Sequence, residues 1–243
     1  MTEQARPRLI LVHGAWVGPW EFGALVDVLH DRGWIIDTVS LPSVGSTVGI
    51  ADDAGAVTAA LDASPEPAIL VAHSYGGIPV TEAGDHPNVE RIVYVAAFAL
   101  GEGESALSTR GGTQPDWWDV ADGMVSVGHS RAERVAMLAA DLPPEAAPVA
   151  EQLADVLRPH SYRALTEPVT RVAWHTKPVT YILTENDAII PPPFQEALAT
   201  RCSDDVVRIA HGHSPFAEDP VGFADLLERV VLGTRPEVLT PGA

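Results

Sequence analysis

Short apolar runs recur along the chain at 9–12, 69–72, 92–96, 179–183 and 206–209, each nearly unbroken by polar residues. Strands buried on both faces of a parallel sheet read this way, whereas half-exposed antiparallel strands alternate. A sixth, weaker run spans 35–41. Between these runs the apolar positions take up a helical period. Phe22, Leu25, Val26 and Leu29 fall at i, i+3, i+4 and i+7, and Gly33 stands where a C-terminal helix cap belongs. Phe223, Leu226, Leu227, Val230 and Val231 repeat the stripe, and Gly233 closes it. The alternation predicts an α/β protein with a doubly wound, mostly parallel sheet and right-handed crossovers.

Residues 101–175 break the rhythm. They open on Gly101-Glu-Gly-Glu and carry the pair Trp117-Trp118. Two helical stripes follow: Val135, Leu138, Ala139 and Leu142, then Val149, Leu153, Val156 and Leu157, with Pro143-Pro144 between them. No run in the segment reads as a strand. At about 75 residues it is too long for a simple loop. It is expected to be a helical cap inserted between two strands, over the C-terminal edge of a core made of residues 1–100 and 176–243. Residues 234–243, with two prolines and a glycine, are expected to form a loose tail.

Composition narrows the function. The chain of 243 residues is long enough for one large α/β domain with a well-buried core. Its net charge is −18 and Lys177 is its only lysine, which argues against nucleic acid or an anionic membrane surface as partner. The lone cysteine, Cys202, cannot close an internal disulfide, so a reducing interior suits the chain. No apolar run approaches 18 residues and the N-terminal residues are polar, so a cytoplasmic protein is expected.

The chemistry centres on residues 70–77, Leu-Val-Ala-His-Ser-Tyr-Gly-Gly. Ala72, Ser74 and Gly76, each separated by one residue, match the nucleophile elbow, a strand-to-helix turn that strains and exposes its serine. Alanine at the first position, where glycine is commoner, is a mild departure. In a doubly wound sheet ligands gather at the C-terminal ends of strands. Four segments converge there: His13-Gly14-Ala15-Trp16, Ser74, Thr184-Glu185-Asn186-Asp187 and His211-Gly212-His213-Ser214. A serine hydroxyl needs a base to take its proton, and imidazole titrates in the useful range. The imidazole in turn needs a carboxylate to fix its tautomer. The oxygen that becomes negative needs preorganised donors, for which the Ala15 and Tyr75 N–H groups are placed.

Alternatives stand beside each assignment. Ser74 also suits a helix N-cap, and Asp187 a turn before Pro191, with Glu185 as rival carboxylate. His211 lies two positions from His213. The latter is preferred because it opens His-Ser-Pro-Phe ahead of the final helix, whereas His211 closes the strand. His13 reads as a structural residue of its loop, and His129, His160 and His175 lack metal-type spacing. No metal or other cofactor is called for. Trp16, Phe98, Trp117, Trp118 and Met124 are candidates for an apolar substrate pocket, although some belong to the cap's own core.

Taken together, Leu11-Val-His-Gly-Ala-Trp-Val-Gly-Pro-Trp20, Ala72-His-Ser-Tyr-Gly-Gly77, Ala96-Ala-Phe-Ala-Leu-Gly-Glu-Gly-Glu104, Phe194-Gln195 and Gly212-His-Ser-Pro215 resemble the α/β-hydrolase superfamily over nearly the whole chain. Within it they are most similar to the plant methylesterase and hydroxynitrile-lyase branch and its bacterial salicylate-esterase-like relatives. The resemblance implies an α/β-hydrolase fold, Ser74, Asp187 and His213 as catalytic triad, and Ala15 and Tyr75 as oxyanion hole. Lyases of this branch carry a threonine where Gly14 stands and a lysine just after the histidine, where this chain has Ser214, Pro215 and Phe216. The expected function is therefore hydrolysis of a small, largely apolar carboxylic ester or lactone through an acyl-enzyme. A hydroxynitrile or C–C lyase, or a non-catalytic small-molecule receptor, is the alternative. A homodimer is compatible with the sequence.

Overall fold

The computed structural model describes residues 6–142 and 147–233. Pro143-Pro144 and the tail at 234–243 lie outside these described residues.

Six parallel strands form the central sheet: β1 (Arg8–Val12), β2 (Ile36–Val39), β3 (Ala68–His73), β4 (Val89–Val95), β8 (Val179–Thr184) and β9 (Val206–Ile209), in the spatial order β2-β1-β3-β4-β8-β9. Every adjacent pair is parallel. The continuous apolar runs of β1, β3, β4 and β8 follow from burial on both faces, because successive side chains point to opposite sides. The edge strands β2 and β9 are only partly buried, contrary to the expectation for 206–209. Ile10, Val12, Leu70, Ala72, Tyr94 and Leu183 pack on one face with α2 (Ile50–Asp62), α3 (Gly77–Ala83) and α7 (Pro192–Cys202). Leu9, Leu11, Ile69, Val71, Val93 and Ile182 pack on the other with α1 (Gly23–Asp31) and α9 (Pro220–Leu232). The predicted stripes of α1 and α9 face this second core, and Gly33 and Gly233 follow them at φ +80° and +67°, in the left-handed region that favours glycine.

The segment between β4 and β8 departs from the expectation of helices alone. It contains a three-stranded antiparallel sheet, β5 (Trp118–Ala121), β6 (Met124–Val127) and β7 (His160–Ser161), separate from the main sheet. The missed signal is Asp122-Gly123 between two short alternating runs, a two-residue hairpin turn with both residues at positive φ (50° and 76°). The expected helices are α4 (Arg131–Ala139) and α5 (Ala147–Val156), with a short α6 (Tyr162–Thr166) after β7. The buried side of α5 is Ala150 and Ala154, while Val149 and Val156 are exposed. Its packing face is thus turned by one position from the predicted stripe. Small residues let α4 and α5 approach closely, and a pattern weighted towards large apolar side chains passes over them.

Candidate active site

Each expected segment reaches the same end of the sheet. Ser74 follows β3 directly with φ +52°, a left-handed value that a non-glycine residue holds only under constraint. The constraint is visible at Gly76, where a Cβ would lie 2.4 Å from the Val12 carbonyl oxygen and 2.6 Å from that of His13. The elbow therefore needs glycine at 76 because it presses on the end of β1. On its other side the Phe98 N–H donates to the Ser74 carbonyl (3.0 Å).

The carboxylate and imidazole meet directly. His213 Nδ1 donates to Asp187 Oδ2 at 2.8 Å. The same oxygen accepts from Gln195 Nε2 (2.8 Å) and Thr184 Oγ1 (3.0 Å), while Oδ1 accepts from the N–H groups of Ile189 (2.8 Å) and Ile190 (2.7 Å). Asp187 is thus both a turn residue and the histidine's partner. Burial alone would raise its pKa, but the charge and hydrogen bond of His213 and the two N–H donors outweigh burial and hold it below the usual carboxylate value. For His213, burial lowers the pKa, and the Asp187 charge and hydrogen bond, with Asp141 and Glu21 beyond, leave it above that of an ordinary histidine. Glu185, the rival carboxylate, is exposed. His211 directs a buried Nδ1 at no hydrogen-bond partner among the described residues.

His213 is also fixed through its backbone. His73 Nε2 donates to the His213 carbonyl (3.0 Å), its ring lies 4.6 Å from that of His213, and its Nδ1 pairs with Glu21 Oε1 (3.1 Å). Glu21 Oε1 in turn accepts from the Gly14 N–H (3.0 Å). Asp141, at the end of α4, accepts from the N–H groups of both Ala188 and His213 (2.8 Å each), bridging the loops that carry Asp187 and His213. Glu21 and Asp141 carry no motif that sequence reading would isolate; only the fold brings them here. His213 Nε2 and Ser74 Oγ make no hydrogen bond to protein among the described residues, so both are available to a reacting group.

Ala15 and Tyr75 flank Ser74, and their N–H groups meet no turn or side-chain acceptor among the described residues. These residues line a cavity of about 50 Å³ with Ser74, Trp16, Phe98, Trp117 and Trp118. Met124 is not on its wall; it opens β6, paired with Ala121 and Ser161. Among the described residues on its wall, Arg110 is the one that is charged. The Arg110 guanidinium sits about 6 Å from the rings of Phe98 and Phe194 and donates to the Ile189 carbonyl, with no ion pair among the described residues. Trp118 Nε1 is buried without a hydrogen-bond partner among the described residues. A larger cavity, about 230 Å³, lies beyond Trp16 against Arg134 and Leu157, away from Ser74. His13 is structural, as expected: the Leu41 N–H donates to its Nε2 (3.0 Å), and its Nδ1 donates to the Gly14 carbonyl (2.8 Å).

Sheet order, elbow and the convergence of serine, carboxylate and imidazole are those of an α/β-hydrolase. The family model described as "Alpha/beta hydrolase family" matches residues 9–226, and the chain belongs to that family. It is 27% identical to the alpha/beta hydrolase nvfD of Aspergillus novofumigatus over 96% of this chain and 98% of that protein. It is 25% identical to methyl jasmonate esterase 1 of Vitis vinifera over 94% and 98%. Among solved structures, a pyrethroid hydrolase from Sphingobium faniae JZ-2 superimposes with a TM-score of 0.79 at 21% identity, covering 95% of this chain and 99% of that one. The likeness to plant methylesterases read from the sequence is matched by the Vitis vinifera esterase.

Proposed function

We propose that the protein is a serine hydrolase cleaving a carboxylic ester or lactone of a small, largely apolar substrate. The observation that carries this reading is the 2.8 Å pair of His213 Nδ1 and Asp187, with the His213 ring 4.6 Å from that of His73, the residue before the strained Ser74. His213 Nε2 takes the Ser74 proton as Oγ attacks the carbonyl carbon. The carbonyl electron pair moves to oxygen, where the Ala15 and Tyr75 N–H groups receive it. The tetrahedral intermediate collapses to an acyl-enzyme, and the leaving alkoxide departs with the proton from His213. Water, deprotonated by His213, then releases the acid and restores Ser74. No step calls for a cofactor.

Residues 101–175 act as a lid supplying Trp117, Trp118 and Arg110 to the pocket, and so set specificity. The Arg110 charge on the cavity wall favours a substrate with a further acceptor oxygen beside its ester. Burial pushes the Cys202 thiol up to about 12, so it stays an unreactive thiol and fits a reducing compartment. A lyase is disfavoured at Gly14, where a Cβ would stand 3.2 Å from Ser74 Cβ and 3.3 Å from His73 Nδ1, crowding the nucleophile. The test is a panel of p-nitrophenyl esters and lactones with wild-type protein and Ser74→Ala. Turnover in the wild type, lost by several orders of magnitude in the variant, is expected. Retention of more than about a tenth of the activity would contradict it.

A further inference from the structure

Three side chains that the proposed reaction does not touch form a closed network behind the cavity: Asp53 on α2, Ser43 after β2 and His160 on β7. All three are fully buried. Asp53 Oδ1 accepts from the Ser43 N–H (2.9 Å), and Oδ2 accepts from both Ser43 Oγ and the Tyr75 hydroxyl, each at 2.6 Å. The Ser43 hydroxyl proton is committed to the carboxylate, so the 3.1 Å contact between Ser43 Oγ and His160 Nε2 has the histidine as donor. That fixes the tautomer and leaves His160 Nδ1 as acceptor, facing the Trp16 N–H at 3.4 Å. The His160 ring also meets that of Tyr75 edge to face, with centroids 4.3 Å apart. Burial lowers the His160 pKa to about 3, which keeps the ring neutral and this donor pattern constant across the working range.

The network ends on both sides of the oxyanion hole. Tyr75, whose N–H is one donor, is tethered through its hydroxyl to Asp53. Trp16, the residue after the second donor Ala15, is tethered through its N–H to His160. Trp16 holds φ +64°, and its indole Nε1 donates to the Val125 carbonyl on β6 (2.8 Å). A strained backbone of this kind persists only where its surroundings over-determine it. Here the surroundings come from the segment inserted between β4 and β8. We infer that Asp53, Ser43 and His160 are positioning residues that fix the spacing of the Ala15 and Tyr75 N–H groups, and that the inserted segment completes the oxyanion hole from behind by supplying His160. The inference rests on the serine-hydrolase reading, with Ala15 and Tyr75 as oxyanion donors.

Oxyanion donors act only if held in place before charge develops, and displacement by about 1 Å can cost on the order of 100-fold in rate. His160→Phe keeps a ring against Tyr75 while removing both of its hydrogen bonds. Tyr75→Phe removes the tether to Asp53 while keeping the backbone donor, and serves alone if His160→Phe does not fold. Each variant is expected to lose roughly 10- to 100-fold in kcat with KM for p-nitrophenyl acetate within about twofold. A trifluoromethyl ketone, which Ser74 converts to a tetrahedral oxyanion adduct, should weaken by the same factor. The matching methyl ketone, which binds without forming that charge, should not. A rise in KM at unchanged kcat, equal weakening of both ketones, or kcat within about twofold in the folded variants would overturn the inference while leaving Ser74 as nucleophile. Absence of a covalent Ser74 adduct with a fluorophosphonate in the wild type would instead overturn the hydrolase reading beneath it.

Discussion

Replacing Asp187 by asparagine changes one heavy atom and tests the base directly. The carboxylate accepts five hydrogen bonds, three on Oδ2 from His213, Gln195 and Thr184 and two on Oδ1 from Ile189 and Ile190. An amide has a single acceptor oxygen, so one set of donors must face its NH2 group. If the oxygen stays with the two backbone N–H groups, the NH2 faces His213 Nδ1. The imidazole then carries its proton on Nε2, and it cannot accept one from Ser74. The alternative orientation sets the NH2 against the two backbone N–H groups and strands them, at about 1–3 kcal/mol for each buried unsatisfied donor. Either way the negative charge that stabilises the imidazolium is gone. A loss of about 10³–10⁴ in kcat/KM is expected, which is roughly 4–5.5 kcal/mol of transition-state stabilisation at 1.36 kcal/mol per decade. The assay is steady-state hydrolysis of p-nitrophenyl acetate, with circular dichroism showing the variant folded. A folded Asp187→Asn protein within about tenfold of wild type would refute the reasoning, as would greater damage from Glu185→Gln, whose side chain lies in solvent.

The pH profile follows from His213. The base must be neutral to accept a proton, so kcat/KM should fall as pH drops through a pKa above the ordinary 6.5, because Asp187 and its neighbours outweigh burial. Asp141→Asn removes one of the charges that raise it, so the acid limb should move to lower pH; His211→Ala should leave it in place. A wild-type limb below 6.5, or no shift in Asp141→Asn, contradicts this balance of charges. Gly76→Ala drives a methyl group onto the Val12 and His13 carbonyl oxygens, so activity should be lost and stability fall by about 1–3 kcal/mol, which thermal unfolding would register; an unchanged Tm with full activity would show that the elbow is not pressed against β1. Trp117→Ala should reorder rates among bulky and aromatic esters while changing acetate turnover little, and a uniform effect on all esters would remove Trp117 from specificity.

The candidate site was legible as a spatial cluster because each member sits at the end of a strand and strands announce themselves by composition. Ser74 and Asp187 follow fully buried apolar runs and His213 follows the half-buried edge strand β9, so reading the runs also ordered the site. The inserted segment was less legible. Its strands are four residues or fewer and β5 and β6 are only partly buried, so their alternation is brief, and the Asp122-Gly123 turn was the one strong local cue. The groups that hold the site, Glu21, Asp53, Asp141 and His160, come from four separate segments of the chain. Their roles arise from tertiary approach, and nothing in their local sequence marks them. The direction of the His213 pKa was likewise beyond the sequence, since it depends on how closely charges approach a buried ring.

The central claim is that Ser74 forms a covalent bond during turnover, and the most direct test is labelling with a fluorophosphonate followed by peptide mass mapping. The reading predicts one adduct per chain, on the peptide that contains Ser74, forming as esterase activity disappears. The adduct should be absent in Ser74→Ala and much slower to form in His213→Ala. Esterase activity that persists in the fully labelled protein, or an adduct on a residue other than Ser74, would contradict it.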